Sequence, residues 1–84
     1  MNAKHSKTLA AVFSDPINGN LEWARIEALL VALGCNTYER GGSAVAFEKG
    51  GRVFMAHRPH PEKEAKRYRV KEVRAFLEEI GAKP

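Results

Sequence analysis

The chain has 84 residues, 44% of them hydrophobic and 29% charged, with a formal net charge of +4. A chain of that size buries one modest core, which leaves room for a single domain over 1–84, and its apolar and charged fractions exclude a disordered or fibrous protein. No apolar run approaches the roughly 20 residues that cross a bilayer. The start MNAKHSK lacks the apolar stretch of a signal peptide, and the lone Cys35 cannot close an internal disulfide. A reducing, cytoplasmic setting without a membrane partner is therefore expected.

Apolar residues at Leu9, Val12 and Phe13 predict a short helix over 4–14, with Ser6 as its N-cap. The turn residues of DPINGN end it. A second helix is predicted from Leu21 to Leu33, capped by Asn20, with Trp23, Ile26, Leu29 and Leu30 on its apolar stripe and Gly34 as its stop. From Cys35 to His57 the period shortens. CNTYER, SAVAFE and RVFMAH are separated by glycine pairs and read as an antiparallel meander. The alternation predicts Val45, Phe47, Val53 and Met55 on the helix-facing side, with His57 at the rim of that side. A last helix from Tyr68 or Arg69 to Ile80 places Val70, Val73, Phe76, Leu77 and Ile80 on one stripe and leaves Lys71, Glu72, Arg74, Glu78 and Glu79 to water. Cys35 reads as a small buried hydrophobe and Trp23 as core.

This order, α-α-β-β-β-α, specifies an α+β two-layer sandwich: a three-stranded antiparallel sheet packed on helices, the architecture of double-stranded RNA-binding domains. The charge is uneven. Met1–Glu48 carries four basic residues against five acidic, whereas the remainder carries ten against five. The positive half is densest around HRPHP, residues His57 to Pro61, and a polyanion such as nucleic acid is the partner class that such a patch attracts. HRPHP itself supports three readings. Its histidines can transfer protons, can contact phosphate without chemistry, or can be plain loop residues stiffened by Pro59 and Pro61. A metal site is not expected, because an HxxH spacing broken by proline is no helical ligand pair and Cys35 lies well upstream.

Several of these features together resemble the HicA family of bacterial toxins. A leading helix ends in LLVALG, Gly42-Ser43 opens the second strand, the third strand runs into HRPHP, and a basic loop leads to a helix ending in IGAKP. The resemblance covers about 21–81, its motifs running from Ile26 to Gly81, with residues 4–14 as a helical extension. It implies a toxin of a type II toxin–antitoxin system: a small ribonuclease that cleaves messenger RNA, needs no cofactor and is neutralised by a HicB antitoxin. It also implies a catalytic histidine just after Gly-Ser, where this chain has Ala44 and Val45.

Metal-independent RNA hydrolysis requires a base for the 2′-hydroxyl, an acid for the leaving 5′-oxygen and positive charge for the phosphorane. His57 and His60 are the candidate acid and base in this chain, and Arg58 can clamp a phosphate with two parallel hydrogen bonds. Ser43, Arg52, Arg58, Lys63, Lys66, Arg67, Tyr68 and Arg69 are the candidate RNA-binding residues, with Tyr68 as a stacking platform among cations. The alternative is a non-catalytic module that binds single-stranded RNA or a HicB-like antitoxin and has lost the chemistry along with the histidine.

Overall fold

A computed structural model describes residues 1–84. The elements are α1 (Ala3–Val12), α2 (Trp23–Ala32), β1 (Asn36–Glu39), β2 (Ala44–Lys49), β3 (Arg52–His57) and α3 (Arg67–Glu79). The strands form one antiparallel sheet in the order β1-β2-β3. The α+β class and the α-α-β-β-β-α order are those the periodicity predicts.

Aromatic rings join the layers. Trp23 of α2 lies 6.3 Å from Phe47 of β2, Phe47 lies 6.3 Å from Phe54 of β3, and Phe54 lies 5.6 Å from Phe76 of α3. Ring pairs at these separations contribute packing beyond their buried area. Val12, Ile26, Leu29, Leu30, Val70, Val73 and Leu77 complete a continuous core in which all three helices participate. Cys35 is buried against it, as its position after the helix stop suggests.

The core-facing residues of β3 differ from expectation. Val53 and Met55 are 58% and 57% exposed, while Phe54 and Ala56 are buried. The pairing explains the reversal: Val45 lies opposite Ala56 and Phe47 opposite Phe54. Directly paired residues share a face of the sheet, so the buried side of β2 dictates Phe54 and Ala56 on β3. His57 is consequently on the open face, not at the rim of the buried one. The register follows from the hairpin: Lys49 pairs with Arg52 across Gly50-Gly51, whose φ values of 58° and 83° are both left-handed. A two-residue turn of that kind matches the twist of the flanking strands and needs glycine at little steric cost.

Helix starts also depart from the predicted caps. Asn2, not Ser6, caps α1, its side-chain oxygen accepting from the His5 N–H at 2.8 Å. Asn20 does not cap α2, because the helix starts only at Trp23, three residues on; the Asn20 N–H donates to Asn18 Oδ1 at 2.8 Å within the preceding turn. Glu22 takes the cap position without a side-chain bond. The entry to α2 is held by long-range backbone pairing, with Trp23 N–H donating to the Lys63 carbonyl at 2.9 Å and Ala65 N–H to the Leu21 carbonyl at 2.8 Å. The first of those bonds satisfies one of the N–H groups that lack an internal partner at a helix start.

Arg74 is not left to water. Its Nε donates to the Val12 carbonyl at 3.0 Å and its Nη2 to the Ser14 carbonyl at 2.8 Å, with Asp15 at 3.4 Å from Nη1. The guanidinium thus ties α3 to the end of α1, where helical carbonyls lack internal partners.

Candidate functional site

The HRPHP link leaves the sheet at the end of β3 beside the start of β2. His57 pairs opposite Ala44, and the Arg58 N–H donates to the Ser43 carbonyl at 2.9 Å, continuing the ladder by one bond. Ser43 Oγ lies 3.2 Å from His57 Nδ1. The hydroxyl engages one ring nitrogen and leaves Nε2 as the nitrogen that can meet a ligand.

Arg58 turns to carboxylates of the same chain. Its Nη1 and Nη2 donate to Glu39 Oε1 and Oε2, both at 2.8 Å, and its Nε donates to Glu27 Oε1 at 2.8 Å. The bonds to Glu39 and Glu27 push its pKa above the ordinary arginine value, and the bond from Arg58 holds the Glu39 carboxyl below its usual range. With two carboxylates on it, the guanidinium has no open fork for a phosphate. Its structural effect is to join the link to β1 and α2.

Two clefts flank the link. One, of about 210 Å³, is lined by His57, His60, Lys66, Tyr68 and Arg69. Tyr68 is 56% exposed, and the Arg69 guanidinium sits 5.0 Å from its ring centroid while also pairing with Glu72. The other, of about 380 Å³, is lined by Glu22, Trp23, Glu27, Pro61 and Lys63. Arg58, Pro59, His60 and Glu62 border both clefts.

The fold therefore brings His57, His60, Lys66, Tyr68 and Arg69 together and adds Ser43 through His57. Lys63 belongs to the second cleft. Arg52 is at the opposite end of β3 from His57, about 17 Å away along a six-residue strand. Arg67 lies along Gly19, where a Cβ would come within 3.2 Å of its Nε. The sequence reasoning missed Glu27 and Glu39, which stand 31 and 19 positions from Arg58. Carboxylates brought together by the tertiary fold leave no local pattern; the only available signal is the acidic character of the first half of the chain.

No group of three or more His, Cys, Asp or Glu side chains is arranged to hold a metal, and no helix is long and apolar enough to cross a membrane. No curated protein and no solved structure matches the chain. The family described as the HicA toxin of bacterial toxin-antitoxin matches residues 23–82. That span starts at the first residue of α2 and takes in the sheet, the HRPHP link and α3, so the chain belongs to the HicA family of bacterial toxin–antitoxin toxins.

Proposed function

We propose that this toxin binds single-stranded messenger RNA at the cleft beside HRPHP and cleaves it by metal-independent acid–base hydrolysis. The observation that carries the reading is that His57 and His60 line one cleft together with Lys66, Tyr68 and Arg69. One histidine takes the proton of a ribose 2′-hydroxyl, whose oxygen attacks the adjacent phosphorus. The other protonates the departing 5′-oxygen, leaving a 2′,3′-cyclic phosphate and a free 5′-hydroxyl. Lys66 supplies the positive charge that the phosphorane requires, a part that Arg58 gives up to Glu39 and Glu27 and that Arg69 shares with Glu72. Tyr68 offers a face on which a base stacks. A HicB-like antitoxin silences the protein by covering this basic surface.

A second reading rests on Ala44. The position across from His57 holds a methyl group instead of an ionisable one, which suits a module that binds RNA or antitoxin without cutting.

Incubating the protein with a labelled single-stranded RNA in EDTA at low salt, and following binding and cleavage together, separates the two. Cleavage that disappears in the His57→Ala/His60→Ala double variant supports the ribonuclease. Binding without product supports the non-catalytic module, and absence of both refutes RNA as the ligand.

A further inference from the structure

β3 stands at an edge of the sheet, with β2 on one side and no strand on the other. In an antiparallel pair, residues that exchange backbone bonds with the opposite strand alternate with residues whose N–H and C=O point away from it. The register sets Arg52 opposite Lys49 across the two-residue turn, and at the other end the Arg58 N–H donates to the Ser43 carbonyl. Both ends give the same phase. Arg52, Phe54 and Ala56 bond to β2, so the backbone groups of Val53, Met55 and His57 point outward from the edge. The side chains of these three residues lie on the open face, where Val53 and Met55 are as exposed as the unpaired backbone beside them.

A row of unpaired backbone groups flanked by exposed apolar side chains is a template for another strand, and sheets blunt such rows with proline, lysine, a bulge or a very short strand. β1, the other edge, has only four residues. β3 has six, none of them proline or lysine, and pairs with β2 residue for residue without a bulge. RVFMAH also complements itself. Turned antiparallel about Met55, it sets Met55 against Met55, Val53 against His57 and Phe54 against Ala56, a large ring beside a methyl group. No two like charges oppose each other between Val53 and His57. Arg52 meets Arg58 only at the two ends, where Glu27 and Glu39 already offset the Arg58 charge.

We propose that the β3 edge is a homodimer interface, at which a second copy of this chain pairs its own β3 antiparallel to the first about a twofold axis at Met55, joining two sheets into one of six strands. The backbone of Met55 exchanges both bonds with Met55 of the second copy, and Val53 does so with His57. Such an interface uses the same patch on both copies and therefore closes as a dimer. The second copy also reaches the candidate site, because its Val53 packs beside the His57 whose Nδ1 Ser43 engages. One strand from each copy makes a small interface, below the roughly 1,200 Å² at which stable complexes begin, so the pairing is reversible and depends on concentration. The inference is independent of RNA binding, since it rests on the sheet alone.

Sedimentation equilibrium of the full chain from about 1 μM to about 1 mM, the range of weak complexes, tests the proposal. Monomer is expected to give way to dimer and to nothing larger. Because position 55 faces itself across the axis, Met55→Lys and Met55→Glu should each weaken dimerisation about fivefold or more through directly opposed like charges, whereas an equimolar mixture of the two should recover a dimer at least as strong as the wild type. Val31→Lys, at a residue of α2 that is 57% exposed like Met55, should leave dimerisation unchanged. Hydrogen exchange of the wild type gives a second readout that needs no variant to fold: the amides of Val53, Met55 and His57 should gain protection as concentration rises, and those of Thr37 and Glu39 on the β1 edge should not. A protein that stays monomeric to about 1 mM overturns the interface. So does a dimer that Met55→Lys leaves intact, that the mixture fails to restore, or that forms without protecting the three amides.

Discussion

Ser43 and His57 meet across the β2–β3 pair, the serine Oγ 3.2 Å from the histidine Nδ1. The contact is built by the sheet: the Arg58 N–H bond to the Ser43 carbonyl brings the two residues to the same end of neighbouring strands. A hydroxyl held to Nδ1 fixes the ring orientation and directs Nε2 outward.

Ser43 is therefore a positioning residue for His57. In the cleavage reaction proposed above, Ser43→Ala is expected to lower kcat about fivefold, the worth of one such hydrogen bond, with KM almost unchanged. Ser43→Thr, which keeps the hydroxyl, is expected to recover most of the rate. Single-turnover kinetics as a function of pH check this; an unchanged rate and an unchanged profile in Ser43→Ala would show the contact to be incidental.

Arg58 is expected to behave as a structural tie and not as a phosphate ligand. In a double-mutant cycle with Glu39, followed by thermal unfolding, the coupling should be small, because the Glu39 side chain is exposed to solvent. Because Arg58 depresses the Glu39 pKa, the contribution is complete at pH values above the ordinary glutamate value of about 4.3 and is lost as acidification passes through the lowered folded value. The salt slope of RNA binding separates the roles further. Arg58→Gln should leave it unchanged, whereas Lys66→Gln should reduce it by about 0.7, one single-strand phosphate contact.

Residues 44 and 45 are not equivalent sites for a histidine. Ala44 faces His57 across the strand pair, while Val45 is fully buried. Ala44→His is expected to place a second imidazole beside His57 and to raise the cleavage rate at least about tenfold, the low side of what general acid–base groups contribute. Val45→His should instead destabilise the fold by about 2–4 kcal/mol, since it puts a polar ring into the core. Denaturant unfolding and an RNA cleavage assay on both variants test the pair. Equal rates in Ala44→His and the wild type would remove position 44 from the chemistry.

Arg74 bolts the N-terminal helix to α3 through two carbonyls and Asp15. Arg74→Ala should cost about 1–2 kcal/mol, or roughly 4–8 °C in Tm per kcal/mol for a domain of this size. Arg74→Lys should restore little, because an ammonium cannot reproduce the fork. Hydrogen exchange should show the loss concentrated in α1; uniform loss across the chain would argue against a local bolt.

The class of fold and the order of its elements were legible in the sequence, because helix stripes and glycine-bounded strands are local signals. The Leu29–Leu30 stripe, the Val70–Leu77 stripe and the Gly50-Gly51 turn are each written within a dozen residues. The basic, histidine-bearing link was legible for the same reason. What only the tertiary structure decided is pairing between distant residues. Alternation along β3 is symmetric, so Val53 and Met55 compete on equal terms with Phe54 and Ala56 until Val45 and Phe47 choose the partners. Arg58 looks free in the sequence, yet Glu27 and Glu39 close on it from other elements. Asn20 looks like a cap, yet the Lys63 and Leu21 carbonyls hold that turn instead. Local chemistry determines which residues can form a helix, a strand or a turn, while the single packing that buries the aromatic layer determines which charged groups remain available to a ligand.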